Sequence, residues 1–171
     1  MIESEQLKLL ENLKDILEDL SFKSTLLKQS DQLPFDTLLT EFSPDEHNRS
    51  RCISHTFFPI EEDSATHLLQ FFFQLPFQLK SNFLIDLKTL LLVINNKVPI
   101  GGYSIDENDR TIHFRYVMVL PRYVPLNTEV ITDTITFYVY SQDIFCPVIE
   151  SLNDGQLSLK QALKTVNSAS E

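Results

Sequence analysis

Residues 66–79 read THLLQFFFQLPFQL, and their alternation decides the fold. His67, Leu69, Phe71, Phe73, Leu75 and Phe77 fall on one side; Leu68, Gln70, Phe72, Gln74 and Pro76 fall on the other. A period of two, rich in aromatics, predicts a strand with one buried face. Pro76 has no N–H to give a ladder, so the strand is expected to end there. In residues 81–96 (SNFLIDLKTLLLVINN), Phe83, Leu84, Leu87, Leu90, Leu91 and Ile94 recur at helical spacing. That predicts an amphipathic helix over residues 82–95, N-capped by Ser81-Asn82 and stopped by Asn95-Asn96 and Pro99. Residues 99–121 (PIGGYSIDENDRTIHFRYVMVLP) then alternate on both sides of a polar turn, DENDR. Ile112, Phe114, Tyr116, Met118 and Leu120 face one way; Thr111, His113, Arg115, Val117 and Val119 face the other. This is a hairpin over residues 100–120.

Gly101 and Gly102 are two of only three glycines in the chain, side by side where the hairpin begins. They are expected to be structural, serving a positive φ, a bulge or a close backbone approach. A phosphate cradle is the competing reading. It is the poorer one, since no GxGxxG or GxxxxGK[ST] is present and the pair leads into a strand.

Toward the N-terminus, Leu7, Leu10, Leu13, Leu17 and Leu20 mark a helix over residues 3–20, its polar start including Ser4. Residues 21–29, 34–42 and 51–60 read as short strands. With the Phe-rich strand they make an antiparallel meander over residues 21–77. Toward the C-terminus the signals conflict. Residues 129–140 (EVITDTITFYVY) have strand propensity. Yet Ile131, Ile135, Tyr138, Phe145, Val148, Ile149 and Leu152 share a helical face, Asn127 suits an N-cap and Gly155 a stop. A helix over residues 127–153 is preferred, with the strand kept open. Ser158 to Gln161 forms a capping box for a short helix over residues 158–166. No repeat or linker breaks the chain, so the expectation is a single α+β domain over residues 1–171.

Composition narrows the function. A formal net charge of -10 disfavours a nucleic-acid partner, which would need a dense basic patch. The longest uninterrupted apolar run, residues 90–94, is far short of the roughly 20 residues of a membrane span. MIESEQLK has no apolar core of a signal peptide. Cys52 and Cys146 lack a CxxC spacing, which favours reduced thiols and a cytoplasmic protein.

Catalytic, cofactor and metal sites are not expected. His47, His55, His67 and His113 match no ligand spacing such as HExxH. His67 sits on the apolar face of its strand and reads as a hydrogen-bonded core histidine. Ser104, after Gly101-Gly102-Tyr103, is only a distant echo of a nucleophile turn, and Cys146 in IFCPV reads as a packing cysteine. What stands out is apolar surplus. Leu68 and Phe72 on one strand, and Val117 and Val119 on the hairpin, lie opposite the main apolar faces. They are the candidate partner or dimer surface, unless the N-terminal helix covers them.

Three blocks, residues 69–77 (LQFFFQLPF), 90–106 (LLLVINNKVPIGGYSID) and 112–121 (IHFRYVMVLP), resemble the YbjN-like proteins, whose fold is like that of the type III secretion chaperones. The resemblance implies a bacterial, acidic, often dimeric α+β domain without enzymatic activity, with chaperone-like binding or a regulatory role. The chain departs from it in its β-branched long C-terminal helix. Two functions are therefore expected in competition. One is a chaperone-like or adaptor protein, a homodimer that binds a protein partner through an apolar sheet or helix surface. The other is a regulatory domain sensing a small ligand in a pocket lined by Phe71, Phe73, Tyr103 and Phe114.

Overall fold

A computed structural model describes residues 5–61 and 64–168. The elements are α1 (Glu5–Asp19), β1 (Lys23–Leu27), β2 (Thr37–Phe42), β3 (Arg51–Phe57), β4 (Thr66–Gln74), α2 (Leu84–Asn95), β5 (Gly102–Asp106), β6 (Thr111–Pro121), α3 (Thr128–Asn153) and α4 (Leu159–Ser168). The fold is α+β, in the expected order, with a six-stranded antiparallel sheet ordered β1-β2-β3-β4-β6-β5. Residues 3–4 of the predicted first helix, Ser4 among them, lie outside the described residues. Two compact units divide the chain, one built from Met1–Phe73 and Tyr116–Asp133, the other from Gln74–Arg115 and Thr134–Glu171.

In the first unit α1 turns Leu7, Leu10, Leu13 and Leu17 inward, all buried. Each contributes about 1.5–3 kcal/mol by leaving water. The helix ends on Ser21, whose φ of 68° does the work a glycine usually does, with Phe22 N–H reaching Leu17 O. This turn takes residues 21–22 out of the predicted first strand, and residues 28–29 at its other end also lie outside β1. The alternation in β4 is as expected. His67, Leu69, Phe71 and Phe73 are buried, while Leu68, Gln70 and Phe72 are half-buried. Pro76 lies just past the last strand residue, and Phe77, beyond it, is only half-buried.

Polar side chains cross this core in a line. Ser24 Oγ lies 3.2 Å from Thr40 Oγ1, and Thr40 Oγ1 lies 3.0 Å from His55 Nε2, so one chain of hydrogen bonds links β1, β2 and β3. All three residues are buried, and Nδ1 of His55 has no partner. The His55 ring meets Phe71 edge-on, with centroids 4.9 Å apart. His67 is also buried, but it is not the hydrogen-bonded histidine expected. Its Nε2 lies 3.3 Å from Glu5 Oε2 without hydrogen-bond alignment. Glu5 is held instead by Arg122, which donates from Nε to Glu5 Oε2 and from Nη1 to Ser64 O.

In the second unit two asparagines at helix ends replace missing strand partners. Asn95, the last residue of α2, donates from Nδ2 to Tyr103 O and accepts Tyr103 N–H at Oδ1, at 3.0 and 2.7 Å. Its amide thus closes part of the free edge of β5. Asn153, the last residue of α3, is 1 % exposed and grips Gln78 O and Lys80 N–H in the same way. Buried backbone groups left bare would cost about 1–3 kcal/mol each.

The predicted cap of α2 needs correcting. Ser81–Phe83 form a turn of 3₁₀ helix, and Phe83 occupies the N-cap position without a side-chain hydrogen bond. Two other caps form as read. Asn127 Oδ1 accepts Val130 N–H, and Ser158 and Gln161 exchange bonds as a capping box for α4, which runs on past the expected residue 166.

Residues 129–140 are helical, so the strand alternative is overturned. Period beats propensity here because Ile135, Tyr138, Ser141, Gln142, Phe145, Val148, Ile149 and Leu152 bury one continuous face. Tyr138 Oη also donates to Phe114 O at 2.8 Å. The exposed side retains weak helix formers, Thr136, Phe137 and Tyr140, each about 0.5 kcal/mol poorer than alanine. Gly155, at φ 73°, ends the helix as expected, with Gln156 N–H on Ser151 O.

The glycine pair divides. Gly101 has φ 71°, and a Cβ there would lie 2.8 Å from Arg115 O and 3.0 Å from Phe114 Cζ. Gly102 has no positive φ, and its Cβ would meet only the Asn95 amide, at 3.4–3.6 Å. Gly101→Val is therefore expected to destabilise by about 1–3 kcal/mol from backbone strain, with the clash added. Gly102→Ala is expected to cost much less. Thermal unfolding of the two variants checks this. Equal melting temperatures would show that the left-handed backbone at Gly101 is not what the site requires.

Burial holds His55 down at about 3, well below its usual 6.5. Between those values the unfolded chain binds a proton that the folded chain refuses. Stability present above pH 6.5 is thus lost as pH falls toward 3, on the order of 5 kcal/mol in full. Denaturant unfolding across that window, compared with His55→Gln, should show the extra slope in the wild type alone. Parallel curves for the two proteins would refute it.

Candidate functional site

Strand parity builds the surface. Phe58 N–H donates to Leu68 O at 3.0 Å, so even-numbered residues of β4 turn their amide groups toward β3. Arg122 N–H donates to Ala65 O at 2.9 Å on the opposite side of β4. Counting back along an antiparallel ladder from that bond sets Leu68 opposite Val119 and Gln70 opposite Val117. The remaining registers complete three rows on one face. Phe58, Leu68 and Val119 make the first. Leu27, Thr37, Thr56, Gln70 and Val117 make the second, and Thr25, Leu39, Ser54 and Phe72 the third.

All four residues singled out from the sequence, Leu68, Phe72, Val117 and Val119, therefore share this face within the first unit. Val119 is 61 % exposed, and the other three are half-buried. Helix α1 lies against the other face, where Glu5 meets His67 and where Leu10 and Phe57 line a common cleft of about 210 Å³. The N-terminal helix is thus not the cover that alternation alone left open. Thr25, Leu39, Ser54 and Thr56 were missed by the sequence reading. Their only signal was alternation within short strands, and register decides which of those residues become neighbours.

The alternation of β6 that turns Val117 and Val119 to this face turns exposed Arg115 to it as well. In the rows that β1 to β4 present, Lys23 and Glu41 are the charged side chains, and they pair directly across the strands at 2.8 Å. Cys52, opposite Glu41, has its thiol pushed up by burial and by that carboxylate, so it is held protonated. The part of the surface that β1 to β4 present, leucine, phenylalanine, threonine and serine with its one ion pair neutralised internally, makes van der Waals contact readily. It offers no activated group for chemistry.

The remaining sequence candidates lie elsewhere. Ser104 and His113 sit opposite each other on β5 and β6, but the Asp106 carboxylate beside them already accepts Asn108 and Asp109 N–H in the hairpin turn. Burial lowers the pKa of His113, and Arg115 adds to that effect against the pull of Asp106. His47 lies in the loop before β3, near Glu46. Cys52 and Cys146 are not joined in a disulfide. No group of three or more potential metal ligands occurs among the described residues.

In the second unit Cys146 Sγ donates to Gln142 Oε1 at 3.1 Å, and Tyr103 Oη donates to Ser141 O at 3.0 Å. Burial, with Cys146 alongside, pushes the Tyr103 hydroxyl well above its ordinary value, so it stays a donor. Gln142 Nε2 is buried without a partner. No helix among the described residues is long and apolar enough to cross a membrane. No protein-family model and no curated protein matches the chain.

Proposed function

We propose that this chain is a non-catalytic chaperone-like or adaptor protein, homodimeric, that binds protein through the uncovered face of its sheet. The observation that carries the reading is the uncharged row Phe58, Leu68 and Val119, flanked by Val117 and Phe72. Sheet faces of this kind pack against one another about 10 Å apart, burying alternate side chains from both sides. The α+β order, the acidic balance and the three sequence blocks support kinship with the YbjN-like proteins and a cytoplasmic setting, both as part of this proposal. Nucleic acid fits poorly as a partner, since the net charge is -10.

One observation favours the second reading, a regulatory domain sensing a small ligand. The orphan Nε2 of Gln142, whose Oε1 accepts from Tyr103 Oη, is a buried donor that an acceptor atom would satisfy. Of the aromatics expected to line the pocket, Tyr103 and Phe114 in the second unit are at most 3 % exposed, so a ligand reaching Gln142 requires these rings to move.

The test is the assembly. Sedimentation at micromolar concentration should give a dimer for the wild type. Phe72→Glu should give a monomer, because an unpaired carboxylate in an apolar interface costs several kcal/mol. Val119→Glu makes the same point at a position open enough to leave folding intact. A wild-type monomer, or a Val119→Glu variant that dimerises as tightly as the wild type, would reject the surface.

A further inference from the structure

The outward side of α3 differs from the sheet face in both charge and chemistry. Along its 26 residues the helix has Glu129, Asp133, Asp143 and Glu150, and no lysine, arginine or histidine. Phe137 and Tyr140 stand 46 % and 55 % exposed, one turn apart and therefore neighbours on the helix surface. Asp143, also exposed, follows Tyr140 by one more turn, and half-buried Ile144 borders the two rings.

The inward face is filled by Tyr138, Ser141, Gln142 and Phe145, and alanine, glutamine or lysine would make the outward positions better helix. Two exposed aromatics at positions where they weaken the helix argue for a contact outside the chain.

Charge selects what makes that contact. An acidic helix on a chain of net charge -10 repels nucleic acid, anionic lipid and acidic protein alike. A guanidinium is the complementary group, because it stacks on a phenyl or phenol face while donating to a carboxylate. The spacing of Phe137, Tyr140 and Asp143 offers both contacts within two turns. We propose that the stripe of α3 around Phe137 and Tyr140 docks an arginine-bearing segment of a partner protein.

Nuclear magnetic resonance of the isotope-labelled full chain tests this, with a capped peptide of alternating arginine and alanine as the probe and its glutamate counterpart as control. The arginine peptide should shift resonances concentrated on residues 136–144 and saturate; the glutamate peptide should leave them in place. The double variant Phe137→Ser, Tyr140→Ser should weaken binding roughly tenfold. Asp143→Asn should weaken it less and flatten its salt dependence. Shifts spread evenly over the acidic surface, with the double variant binding as tightly as the wild type, would mean only unspecific charge attraction and would overturn the proposal. Absence of saturable binding would overturn it equally. The wild-type shift map decides the matter by itself should the double variant lose its fold.

Discussion

A strand turns successive side chains to opposite faces and successive amide groups to opposite neighbours, and this double parity in β4 governs what the first unit presents. Once His67, Leu69, Phe71 and Phe73 face inward, Leu68, Gln70 and Phe72 must face outward. Once Phe58 bonds Leu68, the odd-numbered amides of β4 must face the strand that contains Val117 and Val119. The apolar face therefore follows from the same constraint that fills the core. A slip of one residue would move every phenylalanine of β4 to the other side.

Much of this was legible in the sequence, because the periods are strong. The order of elements, the hairpin, the end of β4 before Pro76 and the long helix all follow from spacing two or spacing near 3.6. Residues 129–140 mark the limit of propensity. Thr, Val, Ile and aromatics there favour extended backbone locally, but a face extended through Leu152 outweighs a preference of tenths of a kcal/mol per residue. Tertiary substitutions were not legible. Asn95 and Asn153 read as helix-stopping residues, yet their amides act as strand partners for Tyr103 and for the chain at Gln78–Lys80. Ser81 and Asn82 have the residue types of an N-cap, yet the chain there coils into a 3₁₀ turn. Local chemistry permits both outcomes, and packing selects one.

Two buried polar centres limit how freely the interior tolerates change. Ser24, Thr40 and His55 satisfy one another in a chain that ends at an unpartnered Nδ1. Tyr103, Gln142 and Cys146 do the same, ending at an unpartnered Nε2. Each orphan atom costs about 1–3 kcal/mol relative to a satisfied one. Apolar replacements of similar shape therefore need not be harmful if a whole chain is replaced. Replacing one member strands its neighbour, so single and combined substitutions within each group will not add.

The energetics of the open face also set how much of it a partner must use. Leu68, Phe72 and Val117 are already half-buried, so covering them yields well under the about 1.5–3 kcal/mol of burying an apolar side chain in full. Val119 alone among the four retains most of its surface. Association costs an estimated 4–15 kcal/mol in lost translational and rotational freedom before any surplus appears. Even counted on both sides of a homodimer, Leu68, Phe72, Val117 and Val119 fall short of the upper part of that range. A stable assembly gains by also covering Leu27, Leu39, Phe58 and the short threonine and serine side chains between them. Contact across the whole face, with Lys23 and Glu41 left paired at its rim, is the arrangement the chemistry of this surface supports.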